Sequence, residues 1–235
     1  MDPGARNSSL SIIVPVYNES RALEPGLRTI SDFVEGHGFD YEILVVESGS
    51  TDGTFEKCDA LARSLPRLRV IHEGARNGFG SAVKLGYRHA TKDLIWLITV
   101  DLFFPLEAIF DALPLLSTCD YVVSFRSDDN RGMRRKVQSF AYNRLITTVL
   151  GLKVRHVNAG FKVLKREIAQ KLKLTSNGWF IDAELLYRLK EAGYSFAEIP
   201  VPLIDRTKGT SSVGAMAFVG VLKELWTFLR TKDRA

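Results

Sequence analysis

The sequence predicts an α/β fold: one domain on a mostly parallel central sheet. Short β-branched apolar runs recur through the first hundred residues. Each is followed by a segment with apolar residues at helical spacing, the pattern of βαβ units with both sheet faces covered. The length, 235 residues, suits one large domain able to bury its own core.

Residues 1–9 (MDPGARNSS) are small and polar and read as a tail. Leu10 to Val16 (LSIIVPV) is the first buried strand. Glu19 to Gly36 places Leu23, Leu27, Ile30 and Val34 on one helical face. Tyr41 to Val46 (YEILVV) is the second strand; the polar turn Ser48 to Gly53 and a helix to about Leu65 follow. Leu68 to His72 is the third strand, and the loop Gly74 to Gly80 opens a helix ending near Thr91. Asp93 to Val100 (DLIWLITV) is the fourth. Beyond residue 120 the pattern loosens. It gives a strand at Tyr121 to Phe125, a charged loop at Ser127 to Lys136 and a helix from Val137 to Leu150. A short strand at Gly160 to Leu164, a helix at Ile181 to Glu191 and a strand at Ser195 to Pro200 come next. No linker divides the chain, so one domain spans residues 10–212, and residues 213–235 form a C-terminal amphipathic helix. On that helix Phe218, Leu222, Leu225, Trp226 and Leu229 are expected on one face, opposite Lys223, Thr227 and Arg230.

Composition narrows the partners. With 46% hydrophobic and 25% charged residues, wholesale disorder, collagen and coiled coil are excluded. The longest uncharged run, Gly209 to Leu222, is shorter than the ~20 apolar residues of a membrane span. Met1 to Ser9 lacks the apolar core of a secretory signal. Two cysteines, Cys58 and Cys119, exclude a disulfide framework and suggest a reducing compartment. The net charge of +5 and pI near 9.2 invite nucleic acid, an anionic membrane surface or a phosphate-rich substrate. Nucleic acid is disfavoured, because no basic platform interleaved with aromatics is present. A dinucleotide-binding dehydrogenase is disfavoured too, since no G-x-G-x-x-G follows the first strand.

Ligands of open α/β sheets bind beyond the carboxyl ends of the strands. The first strand ends on Pro15, Tyr17, Asn18 and Glu19, the second on Glu47 and Ser48, and the fourth on Asp101. Asn77, Gly78 and Gly80 follow the third. Singly these are ordinary turn residues. In this order they offer hydrogen-bonding groups, a glycine loop and a carboxylate, as a nucleotide diphosphate would require. Arg126 ends a strand, Arg131, Arg134, Arg135 and Lys136 follow it, and Arg206 lies in DRTKGTSS. Such arginines either hold phosphate oxygens in bidentate fashion or form a solvated surface.

SIIVPVYNES (11–20), VVESGSTDGT (45–54) and NGFGSAVKLG (77–86) resemble family 2 glycosyltransferases. VNAGFK (157–162) and EIPV (198–201), with Arg206, Gly209 and Ser211, are similar to polyprenyl-phosphate sugar transferases of the dolichol-phosphate mannose synthase type. The resemblance spans roughly residues 10–213. It implies a nucleotide-sugar-binding fold of the GT-A type and inverting transfer from a GDP- or UDP-linked sugar to a polyprenyl phosphate. It also implies a peripheral place on the cytoplasmic membrane face, with Pro15, Tyr17, Asn18 and Glu19 lining the nucleoside pocket. Glu47 and Ser48 stand where the family has two acidic residues, and Thr99 and Asp101 where it has two metal-binding aspartates. Asp101 with a diphosphate could still hold Mg²⁺ or Mn²⁺; otherwise arginines alone would neutralise the leaving group. By the same resemblance Arg126, Arg135 and Arg206 contact phosphates. His156 stands where the family has an aspartate and is left without a role. Asp182, near the expected acceptor site, either favours its helix N-terminus or orients the acceptor, a metal or an arginine. The terminal helix either packs on the domain or lies on a bilayer, with Trp226 and Phe228 on its apolar side. Two other functions stay open: transfer to a saccharide hydroxyl, and a non-catalytic nucleotide- or phospholipid-binding protein, for which Thr99 and Ser48 speak.

Overall fold

A computed structural model of the chain describes residues 8–102, 104–128, 132–204 and 215–232, with the side chains of residues 134, 135 and 215–219 left out. A seven-stranded sheet runs through it in the order β3-β2-β1-β4-β6-β5-β7. Its strands are β1 (Ser9–Val16), β2 (Asp40–Glu47), β3 (Leu68–His72), β4 (Leu94–Leu97), β5 (Tyr121–Arg126), β6 (Lys162–Lys165) and β7 (Phe196–Val201). β6 alone runs antiparallel to its neighbours β4 and β5; the other pairings are parallel. The helices are α1 (Leu23–Gly36), α2 (Thr54–Ser64), α3 (Phe79–His89), α4 (Ala108–Ala112), α5 (Met133–Leu150), α6 (Arg166–Lys171), α7 (Ile181–Glu191) and α8 (Ala215–Thr231).

The two sheet faces alternate as strand geometry requires. Ile12, Val14, Ile43, Val45 and Trp96 pack under α1, α2 and α4. Ile13, Leu44, Val46, Ile95 and Leu97 pack under α3, α5, α6, α7 and α8. β1 pairs with β4 only up to Ile13 against Leu97, so Pro15 lies past the last pair on that side, where its missing N–H breaks no β1–β4 pairing. The chain runs leftward from β1 to β2 and β3, then returns to β4 on the other side of β1. The gap between the ends of β1 and β4 is thus the switch point where α/β sheets hold ligands.

Several boundaries differ from expectation. β1 begins at Ser9, inside the expected tail. β4 stops at Leu97, because the chain turns at Thr99–Leu102 and α1 packs against it: a Cβ on Gly26 would sit 2.2 Å from the Val100 carbonyl oxygen. α1 starts at Leu23 rather than Glu19, since the Glu19 carbonyl accepts from the Ala22 and Leu23 amides in a turn. α5 starts at Met133, so Lys136 belongs to its first turn and not to a loop. α4, α6 and a 3-10 turn at Pro114–Ser117 are too short to give a periodic signal.

The apolar face expected on α8 divides between packing and exposure. Val221, Leu225 and Phe228 are buried, whereas Leu222, Trp226 and Leu229 are 37%, 56% and 38% exposed. Phe228 packs against Phe180 and, edge-on, Tyr187, with ring centroids 5.4 and 5.2 Å away. That aromatic seat rotates the helix relative to its most hydrophobic stripe.

Candidate functional site

The loops after β1 and β2 are tied into one wall. Asn18 is left-handed at φ 54°, a conformation asparagine tolerates. Its Oδ1 accepts from the Thr51 amide, while its own amide donates to Ser50 Oγ. The Glu19 amide donates to Thr54 Oγ1, and the Ser20 amide to Asp52 Oδ2. The Arg76 guanidinium lies 4.3 Å over the Tyr17 ring. Asn18 is thus held against the turn that follows Glu47, and Tyr17 against the loop that follows β3.

Glu47 is fully buried and already engaged. Its Oε1 accepts from the Ser50 amide at 2.5 Å, and its Oε2 faces His72 Nδ1 at 3.1 Å. The far nitrogen of His72 meets Asp59 at 3.1 Å, and Phe55 stacks on the ring with centroids 4.0 Å apart. Burial works against the charge on Glu47, but the Ser50 amide and His72 outweigh it and hold the carboxyl below its ordinary range. Burial works against a protonated His72, but Asp59 and Glu47 outweigh it and raise the imidazole. Glu47 is therefore a brace beneath the wall. A raised histidine contributes stability that is complete below its ordinary value of 6.5 and is lost as pH rises through the folded-state value. The lowered Glu47 contributes stability above 4.5 that is lost as pH falls. The melting temperature should therefore fall as pH rises from about 6 toward 9, and His72→Gln should flatten that limb. Thermal melts across this range check it.

Ser48 donates to Glu73 Oε2 at 2.6 Å, and Ser81 donates to Glu73 Oε1 at 2.6 Å. Glu73 follows β3 as Glu47 ends β2, and motif reading passed over it. The glycines of the next loop are needed by the protein itself. Gly78 has φ 101°, and a Cβ there would sit 2.3 Å from the Asn177 carbonyl oxygen; on Gly80 it would sit 2.7 Å from that of Ser176. Their close backbone partner is the 176–178 segment. Asn77 is exposed beside them.

Asp101 sits off the end of β4 in a turn whose next residue, Leu102, has φ 45°. Positive φ at a leucine is strained, and such strain gathers at functional sites. Thr99 Oγ1 is buried with no hydrogen-bond partner among the described residues. No three His, Cys, Asp or Glu side chains among those residues form a ready-made metal cage. A hard divalent ion can take as few as one or two carboxylates and complete its shell with substrate phosphates, a donor set that Asp101 and the orphaned Thr99 hydroxyl, two residues apart in this turn, fit by chemistry.

Arg126 ends β5, which runs parallel to β4 with β6 between them, so both residues leave the same sheet edge. Two strand spacings, roughly 10 Å, separate β4 from β5. The Arg126 guanidinium donates to Ser139 Oγ and the Asn158 carbonyl, and its amide donates to His156 Nδ1 at 3.3 Å. His156 thereby receives a place, accepting at the foot of Arg126.

Asp182, at the start of α7, is engaged within the protein. It forms an ion pair at 3.1 Å with Lys162, whose side chain is 3% exposed and which also donates to the Ala159 carbonyl. Burial pushes the Asp182 carboxyl above its ordinary range, and Lys162 pulls against that. Glu184, two residues on, is fully buried and accepts from the Thr175 and Ser176 amides, fixing the segment that faces Gly80. Of the other expected site residues, Arg206 and Ser211 lie outside the described residues, as do Arg131 and the Arg134 and Arg135 side chains.

The model of Glycosyl transferase family 2 matches residues 11–173. Glycosyltransferase AglD of Haloferax volcanii is 31% identical, across 84% of this chain and 33% of that protein. The dolichol-phosphate mannosyltransferase of Pyrococcus furiosus is 26% identical, across 94% of this chain and 64% of that protein. The chain thus spans a third of the first relative and just under two thirds of the second. The mannosyltransferase PcManGT of Pyrobaculum calidifontis, solved with GDP-Man and Mn²⁺, shares the fold at a TM-score of 0.66 and 21% identity, over 88% of this chain and 59% of its own.

Proposed function

Because this chain belongs to glycosyl transferase family 2, we propose that it transfers a sugar, with inversion, from a GDP- or UDP-linked donor to the phosphate of a polyprenyl phosphate. The observation that carries this is the layout of the carboxyl edge. The Tyr17–Asn18 wall and Asp101 flank the β1/β4 switch point, and Arg126 stands two strands further along the same edge. Such an edge suits a nucleoside diphosphate at one end and a second phosphate at the other. The name of the P. furiosus relative supports the lipid acceptor.

The commitments of nearby groups also favour a phosphate acceptor. A sugar hydroxyl needs a general base to take its proton. Asp182 is held by Lys162, and His156 Nδ1 already accepts the Arg126 amide. A phosphate monoester, with a second pKa of about 6, is its own nucleophile at neutral pH. The protein's task is then to bring two anions together and manage their charge. Arg126 orients phosphate oxygens, and Arg135 and Arg206 join it as the resemblance implies. Asp101, with Thr99, would hold a divalent ion whose chemistry is to neutralise the leaving diphosphate. The rate with polyprenyl phosphate is expected to follow the acceptor's second ionisation. A limb following an enzymic base, together with equal turnover of a saccharide acceptor, would favour the hydroxyl reading.

The proposed setting is the cytoplasmic face of a membrane, with residues 10–212 as the catalytic domain and 213–235 as its surface helix. No described helix is long and apolar enough to cross a bilayer. α8 turns Leu222, Trp226 and Leu229 outward, with Arg230 3.5 Å over the Trp226 ring. Met133, Val137 and Phe140 on α5 are 75%, 58% and 72% exposed at successive turns of one face. Apolar residues interleaved with basic ones suit a headgroup boundary. Replacing Leu222, Trp226 and Leu229 by glutamine should lower partitioning onto anionic vesicles about tenfold without unfolding the chain, since Val221, Leu225 and Phe228 do the packing. Vesicle sedimentation reads the first effect and circular dichroism the second.

A further inference from the structure

We infer that Glu73 reads the nucleobase of the donor and selects guanine over uracil; this rests on the nucleotide-sugar reading above. The sheet edge sets a ruler. A nucleoside whose diphosphate lies at Asp101, beyond β4, extends about 10 Å to its base, two strand spacings along the order β4-β1-β2. The base therefore arrives over the end of β2, where Ser48 holds the Glu73 carboxylate that follows β3. Two acids stand there. Glu47 is fully buried and committed to the Ser50 amide and His72. Glu73 is half-buried, and Ser48 and Ser81 each donate to a different one of its oxygens.

A carboxylate oxygen accepts through two lone pairs. One serine hydroxyl on each oxygen fixes the carboxylate plane and leaves each oxygen one lone pair. In the proposed reading geometry the serines take the diverging lone pairs, and the two that converge form a side-by-side pair of acceptors. Guanine offers two adjacent donors, N1–H and the N2 amine, and meets such a pair in bidentate fashion. Uracil offers one donor, N3–H, between two carbonyl oxygens that a carboxylate repels. Ser48, an uncharged residue beside Glu73, then orients the reading group in place of carrying a charge itself. Arg76, stacked on Tyr17 in the same loop, closes the wall behind it.

The test is calorimetric binding of GDP, inosine diphosphate and UDP to the whole chain and to Glu73→Gln. Inosine diphosphate differs from GDP only by lacking the N2 amine. The wild-type chain is expected to bind GDP at least tenfold more tightly than inosine diphosphate or UDP. In Glu73→Gln the gap between GDP and inosine diphosphate should close, an outcome that loosened packing alone would not give. UDP binding at least as tight as GDP, or a gap that persists in the variant, overturns the assignment and leaves the donor reading standing. Binding of none of the three by the wild-type chain overturns both. If Glu73→Gln fails to fold, the wild-type gap between GDP and inosine diphosphate decides alone.

Discussion

Asp101→Asn is expected to lower kcat/KM for sugar transfer by about 10²- to 10³-fold, the usual cost of removing one preorganised electrostatic group. Asparagine keeps the shape and loses the charge. Asp101 lies at the switch point in a turn shaped by Leu102 at φ 45° and by the contact of Gly26 with the Val100 carbonyl. Thr99 is the neutral residue at this turn. The melting temperature should move by no more than about 2 °C, because a partly exposed turn residue outside the core changes stability little. Steady-state kinetics with and without added Mg²⁺ or Mn²⁺ check the result. Unchanged kcat/KM in a folded variant would remove Asp101 from the site.

Lys162→Met is expected to destabilise the fold by about 3–5 kcal/mol, because it strands a buried carboxylate. Lys162 is 3% exposed at its side chain and Asp182 15%. Burial already raises the Asp182 carboxyl, and losing the ammonium raises it further. A group raised in the folded state contributes stability at low pH that is lost as pH rises. The damage in Lys162→Met should therefore shrink toward acid and grow toward neutrality. The double variant Lys162→Met with Asp182→Leu should recover most of the loss, since a buried pair is often replaceable by apolar residues of similar volume. Denaturant titrations at two pH values read both effects. An equally large loss in the double variant would mean the pair does more than satisfy itself.

The first half of the fold was legible because its signals are local. Ile12, Ile13, Val14, Ile43, Leu44 and Val45 form runs that only a doubly covered strand accommodates, and Leu23, Leu27, Ile30 and Val34 mark the face of α1. What escaped sequence reading depends on partners far along the chain. Asp182 could be read as an acid favouring its helix N-terminus or as one orienting the acceptor, a metal or an arginine, because nothing local reveals that Lys162 on β6 lies against it. Gly78 and Gly80 mark a loop open to close backbone approach, and nothing local reveals that the backbone at Ser176 and Asn177 lies against it. On α8 the expected apolar face is split: Leu225 is buried with Phe228, which Phe180 and Tyr187 seat, while Leu222, Trp226 and Leu229 are exposed, a choice no local signal makes. Glu73 left one readable trace, an acid directly after a strand, as Glu47 is at the end of another.

The site was legible as a set of strand ends but not as a division of labour. Asn18 and Asp101 hold their expected places at the carboxyl edge. Glu47 became a brace and Ser48 a donor to Glu73.

Transfer itself is the most direct test. The chain is incubated with radiolabelled GDP- and UDP-sugars, polyprenyl phosphate or the corresponding polyprenol, and Mg²⁺, Mn²⁺ or a chelator, and the lipid is extracted. The prediction is label in the lipid phase with polyprenyl phosphate and none with polyprenol. Equal labelling of polyprenol, or no transfer to polyprenyl phosphate from any donor with either metal, would contradict it.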